Sequence, residues 1–447
     1  MSAGPIRKPA KLGGTFLAGA KGRLLPASVP LRFFGAAVAF HALAWLALLA
    51  GAADWAQWRG GLGWPLAALH LVTLGTLLSS AIGASLQLLP VATRQPVRSP
   101  RVAAALWWVY VPGVATLALG MGLAHPTLLA LGAAAVVAAL VAWAALLGLN
   151  LLGARGMPGV VLHGWGALAA LALLAASALA LVALWLGHPL LDRDAARALH
   201  LAAGVFGTMG LLAFGLSYVL LPMFALSGVP DERLQLASGA SALAAVALAA
   251  VAAFDVAPLA LRGAALAAGA LALALHLKLM HHALATGMRR DLGRAQQLMR
   301  VGWGALALAL AVALLQLAAP ALGLDAGRLG RLFVVLAVGG WLLSFLFGVL
   351  QRILPFLASM HAARGQPRPP TPSALTRERP LAWHFAAHLV ALALLAAAVL
   401  ADSAWLAGAA ALAGGVGAVA FGLFYLGVWQ RLRHSLATPP PATAARG

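Results

Sequence analysis

Thirteen histidines stand in a chain of 447 residues that has no cysteine and only ten Asp+Glu. Without thiols there are no disulfides, thiolate metal sites or thiol nucleophiles, so imidazole is the main metal-binding group left. His41, His70 and His200 are embedded in long apolar runs. An ionisable side chain in such a run is expensive and marks a functional site. Neutral imidazole ligates haem iron and copper, which makes these three the candidate cofactor ligands. His384 and His388 are four residues apart and share one helix face, a spacing that can chelate a metal ion. His276, His281 and His282 lie on a basic stretch with Lys278, Arg289 and Arg290 and read as a surface for lipid headgroups. The plainer alternative for each histidine is packing between helices with a hydrogen bond to a backbone carbonyl. No phosphate loop, nucleophile triad, zinc-protease motif or dinucleotide fingerprint is present, and no catalytic residue is assigned.

The elements that must position these histidines follow from composition. Apolar residues make up 63% of the chain and charged residues 9%. A soluble globular protein carries about 25% charged residues, so a soluble domain is excluded. A bilayer core of about 30 Å needs about 20 apolar residues in a helix. Twelve runs qualify, at approximately 30–52, 63–89, 102–123, 126–152, 160–187, 195–225, 236–256, 258–282, 299–323, 328–358, 380–401 and 404–430. A helix satisfies its own backbone in lipid, so the expected fold is all-α, an integral membrane protein of twelve transmembrane helices. Residues 1–28 carry Arg7, Lys8, Lys11, Lys21 and Arg23 but no apolar run; they read as a basic cytoplasmic tail rather than a cleavable signal. Residues 29–430 form the membrane domain and 431–447 a second cytoplasmic tail.

The net charge of +20 is segregated along this topology. With the N-terminus in the cytoplasm, 24 of the 30 Lys+Arg fall on the inner side and six, Arg59, Arg193, Arg197, Arg262, Arg328 and Arg331, on the outer side. That is the positive-inside pattern, and it sets both termini in the cytoplasm. The bilayer is thus the expected partner, and the charge does not indicate nucleic acid, whose partners concentrate Lys/Arg on one face of a soluble fold. No carboxylate stands mid-membrane, which argues against a proton-coupled carrier or a pump. The second span is the most polar, with Thr73, Thr76, Ser79, Ser80, Ser85 and Gln87. Trp55, Trp58 and Trp64 at one interface and Trp383 and Trp429 at the other read as membrane anchors.

A pattern recurs in the second, sixth and tenth spans. Pro90, Pro222 and Pro355 each follow a leucine and are 132 and 133 residues apart. Seven residues before each proline is a glycine, Gly83, Gly215 or Gly348, and fifteen before is another, Gly75, Gly207 or Gly340. Glycines eight apart lie on roughly one helix face and admit a close neighbour. The proline is expected to end the helix at the inner face, where Arg94, Arg233 and Arg364 follow. Recurrence every fourth helix predicts three four-helix repeats, about 29–155, 156–298 and 299–430.

Twelve helices in three pseudo-repeated four-helix arcs, with the motif on the second, sixth and tenth, resemble the catalytic subunit of the haem-copper oxidase superfamily. The stretches His70…Gly75…Gly83…LLP, Gly207…Gly215…YVLLPMFALSG and Gly340…Gly348…RILPFLASMH are similar to a poorly characterised bacterial branch. So is the basic segment HLKLMHHALATGMRRDLGRAQQ. The resemblance implies a haem. His70 matches the family's second-helix ligand position, and His200 the first histidine of the branch's His-x-His, whose second histidine is Ala202 here. In the second span the first histidine of that pair is Ala68. The tenth span has no histidine between Leu329 and Met360, the seventh has none, and the copper motif is missing. Copper, oxygen reduction and nitric-oxide reduction are therefore not expected.

The sequence thus predicts a haem-copper-oxidase-like protein of the bacterial cytoplasmic (inner) membrane that binds haem. Its expected role is in respiratory electron transfer or nitric-oxide and nitrosative-stress handling, with a redox partner or other membrane subunits. The alternatives are a cofactor-free membrane scaffold or assembly protein, or a transporter of a small solute or metal.

Overall fold

Each apolar run closes its hydrogen bonds within itself, as hydrocarbon requires. The computed structural model describes residues 23–55, 57–363 and 370–437, and among them there is no strand. Among the described residues, twelve helices are long and apolar enough to cross a membrane. They are Ser28–Ala50, Trp64–Ala92, Pro100–Gly122, Pro126–Leu152, Pro158–Trp185, Arg193–Ala225, Glu232–Ala252, Pro258–Thr286, Arg294–Leu322, Ala326–Ala362, Glu378–Leu400 and Ala404–Ala437. Several outrun the apolar stretches that announced them: the eighth runs to Thr286, the ninth starts at Arg294 and the twelfth ends at Ala437. Hydropathy marks only the part in hydrocarbon, whereas the hydrogen-bond ladder continues into water.

Start signals are local. Proline stands in the first turn of the second, third, fourth, fifth and eighth spans, where its missing N–H has no helical partner to lose. Asp192, Asp231 and Asp325 cap the sixth, seventh and tenth by accepting backbone N–H groups.

Two of the three motif prolines stand where their helices end, and the third does not. Pro90 and Pro222 lie inside the last turn, with the helices ending at Ala92 and Ala225, and the tenth span continues past Pro355 to Ala362. A proline removes one backbone hydrogen bond, and the packing of these spans outweighs that loss. Arg94 follows with a left-handed backbone, φ 58°; Arg364 lies outside the described residues.

The three motif spans form the interior. In their most apolar stretches 72%, 78% and 67% of residues are buried, against 56% or less in the other nine. The tenth touches both the second and the sixth, while the first packs along the second, the fifth along the sixth and the ninth along the tenth. The motif glycines make this possible. A methyl group at Gly75, Gly207 or Gly340 would lie under 3.0 Å from Phe40, Ala170 or Ala305. Gly215 and Gly348 meet His163 and Met299 in the same way, and Gly83 meets Phe33 at 3.1 Å, on the same neighbouring helices.

One feature of these spans left no mark in the sequence. Each motif span widens into a π-helical segment, Leu71–Leu78, Ala202–Gly210 and Val335–Leu343. Each segment contains the first motif glycine. Such segments are uncommon and concentrate at functional sites.

Tryptophan placement is mixed. Trp383 is exposed as a membrane anchor requires, but Trp55 is buried, with Trp58 stacked on it at 6.1 Å. Proximity to a span end did not distinguish the two.

Candidate functional site

Sorted by position, seven histidines of the interior fall into three groups. The first joins the second and sixth spans. His70 is the last residue before one π segment, and His200 stands just before another. Their ring centroids are 6.0 Å apart and the rings are tilted by 33°. His70 Nδ1 lies 3.0 Å from the Leu66 carbonyl oxygen. With Nδ1–H donating there, Nε2 keeps its lone pair, which is how a ligating histidine is commonly oriented. Both residues are half-buried. Two imidazoles this close can both offer a ring nitrogen to one metal ion.

His41 is not part of this pair. It belongs to a second group with His384 and His388 of the eleventh span. The His41 and His384 centroids are 6.5 Å apart, and His384 and His388 stack at 5.7 Å. Phe347 lies 4.6 Å from His41 and 4.5 Å from His384, and Phe421 lies 4.9 Å from His384. Trp45 Nε1–H donates to His41 Nε2 at 2.9 Å, and Ser344 Oγ is 2.8 Å from His388 Nε2. Both nitrogens of His384, and Nδ1 of His41 and of His388, have no hydrogen-bond partner. His384 and His388 lie in the first half of the eleventh span, Glu378–Leu400. Their near-complete burial is set by the tenth and twelfth spans, which cover that helix face.

A third group was not assembled from the sequence. His163 of the fifth span, Tyr218 of the sixth and His276 of the eighth converge. His163 and Tyr218 are 5.3 Å apart by centroids, and His276 Nδ1 lies 3.4 Å from the Tyr218 hydroxyl. His276 stacks on Phe214 at 3.9 Å and is fully buried. That corrects its expected place on a headgroup-binding surface; His281 and His282 are exposed as that reading requires. Helical periodicity separates these faces: His276 looks inward while the next turn looks out. The available signals were Tyr218, inside the quoted motif, and Gly215, which packs on His163.

Among the described residues no group of three or more His, Cys, Asp or Glu is arranged to hold a metal ion. A partly open cleft of about 60 Å³ lies between the first, second, tenth and eleventh spans. It is lined by Ala68, Leu69 and Val72 beside His70, by Val338 and Gly339 opposite, and by Trp45. Its walls are almost wholly apolar.

Outside the spans, electrostatics concentrate at the end of the bundle where the second, sixth and tenth helices begin. The Arg328 and Gly327 backbone N–H groups, with Arg59 and Arg331 nearby, hold the Asp325 carboxyl below its usual 3.8. The Ala195, Asp194 and Arg193 N–H groups do the same for Asp192.

Compared with family models and with curated proteins, the chain matches none.

Proposed function

We propose that this multi-span membrane protein is haem-copper-oxidase-like in its arrangement, three four-helix arcs around the second, sixth and tenth spans. It binds haem through His70 and His200 and serves respiratory electron transfer or nitric-oxide handling in the bacterial inner membrane, both termini cytoplasmic. The observation that carries this is the 6.0 Å imidazole pair on two of the three central spans. Two neutral imidazoles without a carboxylate form a donor set that suits haem iron. The recurrence of the glycine pair and the π segment at one register in all three central spans supports the three-arc arrangement.

Haem, when bound, supplies one-electron chemistry at its iron. The residues of the chain do the rest. Leu66 orients the His70 ring through its carbonyl. Ala68, Leu69 and Val72, neighbours of His70 along the second span, line an apolar cleft toward the first, tenth and eleventh spans, and neither His70 nor His200 is among its lining residues. No oxygen or nitric-oxide reduction is assigned, because the tenth and seventh spans carry no histidine at the matching positions. The redox partner is a membrane subunit or soluble carrier reaching the same face.

A second reading, a cofactor-free scaffold or assembly protein, draws on the packing. Ligand pockets run to roughly 300–1,000 Å³, and this cleft is about 60 Å³. The visible spectrum of the protein purified in mild detergent from haem-replete cells separates the two. A Soret band that shifts on reduction supports haem binding; its absence sinks that reading and leaves the scaffold.

A further inference from the structure

Four of the six arginines that the sequence assigns to the outer loops converge on one place. Arg328 and Arg331, in the first turns of the tenth span, both pair with Asp402 from the turn between the eleventh and twelfth; Arg331 Nη2 lies 3.0 Å from Asp402 Oδ1. The Arg59 guanidinium lies against Gly327, with Nη1 3.1 Å from where a Cβ would stand, and that of Arg193 lies against Gly60, at 3.6 Å by the same measure. Asp325 is a second carboxylate there, and its Oδ1 already accepts the Gly327 and Arg328 N–H groups at 2.8 and 3.1 Å. Three guanidinium groups, of Arg59, Arg328 and Arg331, thus surround Asp402 and Asp325, and Arg193 stands against the loop that carries Arg59. The helix N-termini of the second, sixth and tenth spans open at the same end of the bundle, and each adds a partial positive charge.

The Arg331 side chain is only 9% exposed. Its Nε and Nη1, and Nε of Arg328, are buried and have no hydrogen-bond partner. A buried donor left unmade is costly, more so when charged. Guanidinium forks pair bidentately with carboxylate and phosphate oxygens.

We infer that this cluster of Arg59, Arg193, Arg328 and Arg331 is a binding site for an oxyanion of the carboxylate or phosphate class. The site requires no haem. It takes the ligand from the loop face opposite the chain termini, at the mouth of the three central spans. Asp402 holds Arg328 and Arg331 side by side, and the unmade N–H groups of both donate to the anion. A free anion and a lipid phosphate present the same chemistry to it.

The test uses the full-length protein in neutral detergent at constant ionic strength, with the unfolding midpoint read against inorganic phosphate and acetate. A parallel series uses bilayer discs of phosphatidylcholine with and without phosphatidylglycerol. Saturable stabilisation by phosphate or acetate in detergent identifies a free oxyanion as ligand; protection by phosphatidylglycerol alone identifies a headgroup. In either case Arg59→Gln and Arg331→Gln raise the half-saturating concentration about tenfold or more, and Arg262→Gln, exposed in the second turn of the eighth span, leaves it unchanged. Arg59 is exposed, so its variant folds even if Arg331→Gln does not. Absence of saturable stabilisation by all three ligands, or an Arg59→Gln response equal to wild type, overturns the inference.

Discussion

The ring centroids of His70 and His200 lie 6.0 Å apart, with the planes tilted by 33°, although the residues stand on different spans, the second and the sixth. Neither ring needs the other for packing, since each helix has its own neighbours. If the pair ligates one iron, the two are equivalent in effect. His70→Ala and His200→Ala are each expected to abolish the Soret band of the purified protein, while His41→Ala leaves it intact. A band surviving both single changes would show that the haem is held elsewhere.

Close helix approach at the motif glycines has a testable size limit. Gly207→Ala sets a methyl against Ala170, and such overpacking costs about 1–3 kcal/mol. Pairing it with Ala170→Gly returns the lost space. The double-mutant cycle in detergent should therefore show a favourable coupling of about 0.5–3 kcal/mol. Gly415→Ala, where a methyl meets nothing within 4 Å, should leave the midpoint unchanged or raise it. Strict additivity of the first pair would show that the fifth and sixth spans do not touch there.

His384 makes a different prediction. Both its nitrogens are buried without a partner, and removing an unsatisfied polar group in favour of an apolar one of similar shape is neutral or stabilising. In protein freed of metal by chelator, His384→Phe is expected to keep or raise the Tm. A drop of several degrees that added metal enlarges would instead mark the ring as a ligand.

Asp325 caps the tenth span and its pKa is depressed below 3.8 by the Arg328 and Gly327 N–H groups, with Arg59 and Arg331 adding. A depressed carboxylate contributes stability that is present above the unfolded pKa and lost as pH falls through the folded one. Asp325→Ala should thus lower the Tm at neutral pH, and the gap to wild type should shrink below pH 3.8. A gap that stays constant down to pH 2 would mean that the cap is not made.

Much of the fold was legible because hydrocarbon leaves so few choices. Twelve apolar runs predicted twelve spans, and twelve helices of that kind are present among the described residues. The glycine pairs were visible as spacing, and each meets a close neighbour as close packing requires. One of the prolines misled: a proline near a helix end reads as a stop, yet the chain beyond Pro355 stays helical for two more turns. The histidines were less readable. Depth along a span can be estimated from sequence, but the face a side chain presents depends on which neighbours cover it. His276 and His281 illustrate this, one fully buried and the other exposed.

By itself, then, the sequence determined what the solvent demands: helices, their number, the asymmetric charge of the loops and the glycine positions where backbones must approach. These are properties of local composition, and a helix in lipid needs nothing distant to form. Only the tertiary structure decided which residues meet. It set His70 against His200, moved His41 to His384, joined His163 to Tyr218 and His276, and gathered Arg59, Arg193, Arg328 and Arg331 at one mouth. Those meetings arise from helix rotation and from the packing of side chains far apart in the chain, and no local pattern encodes either.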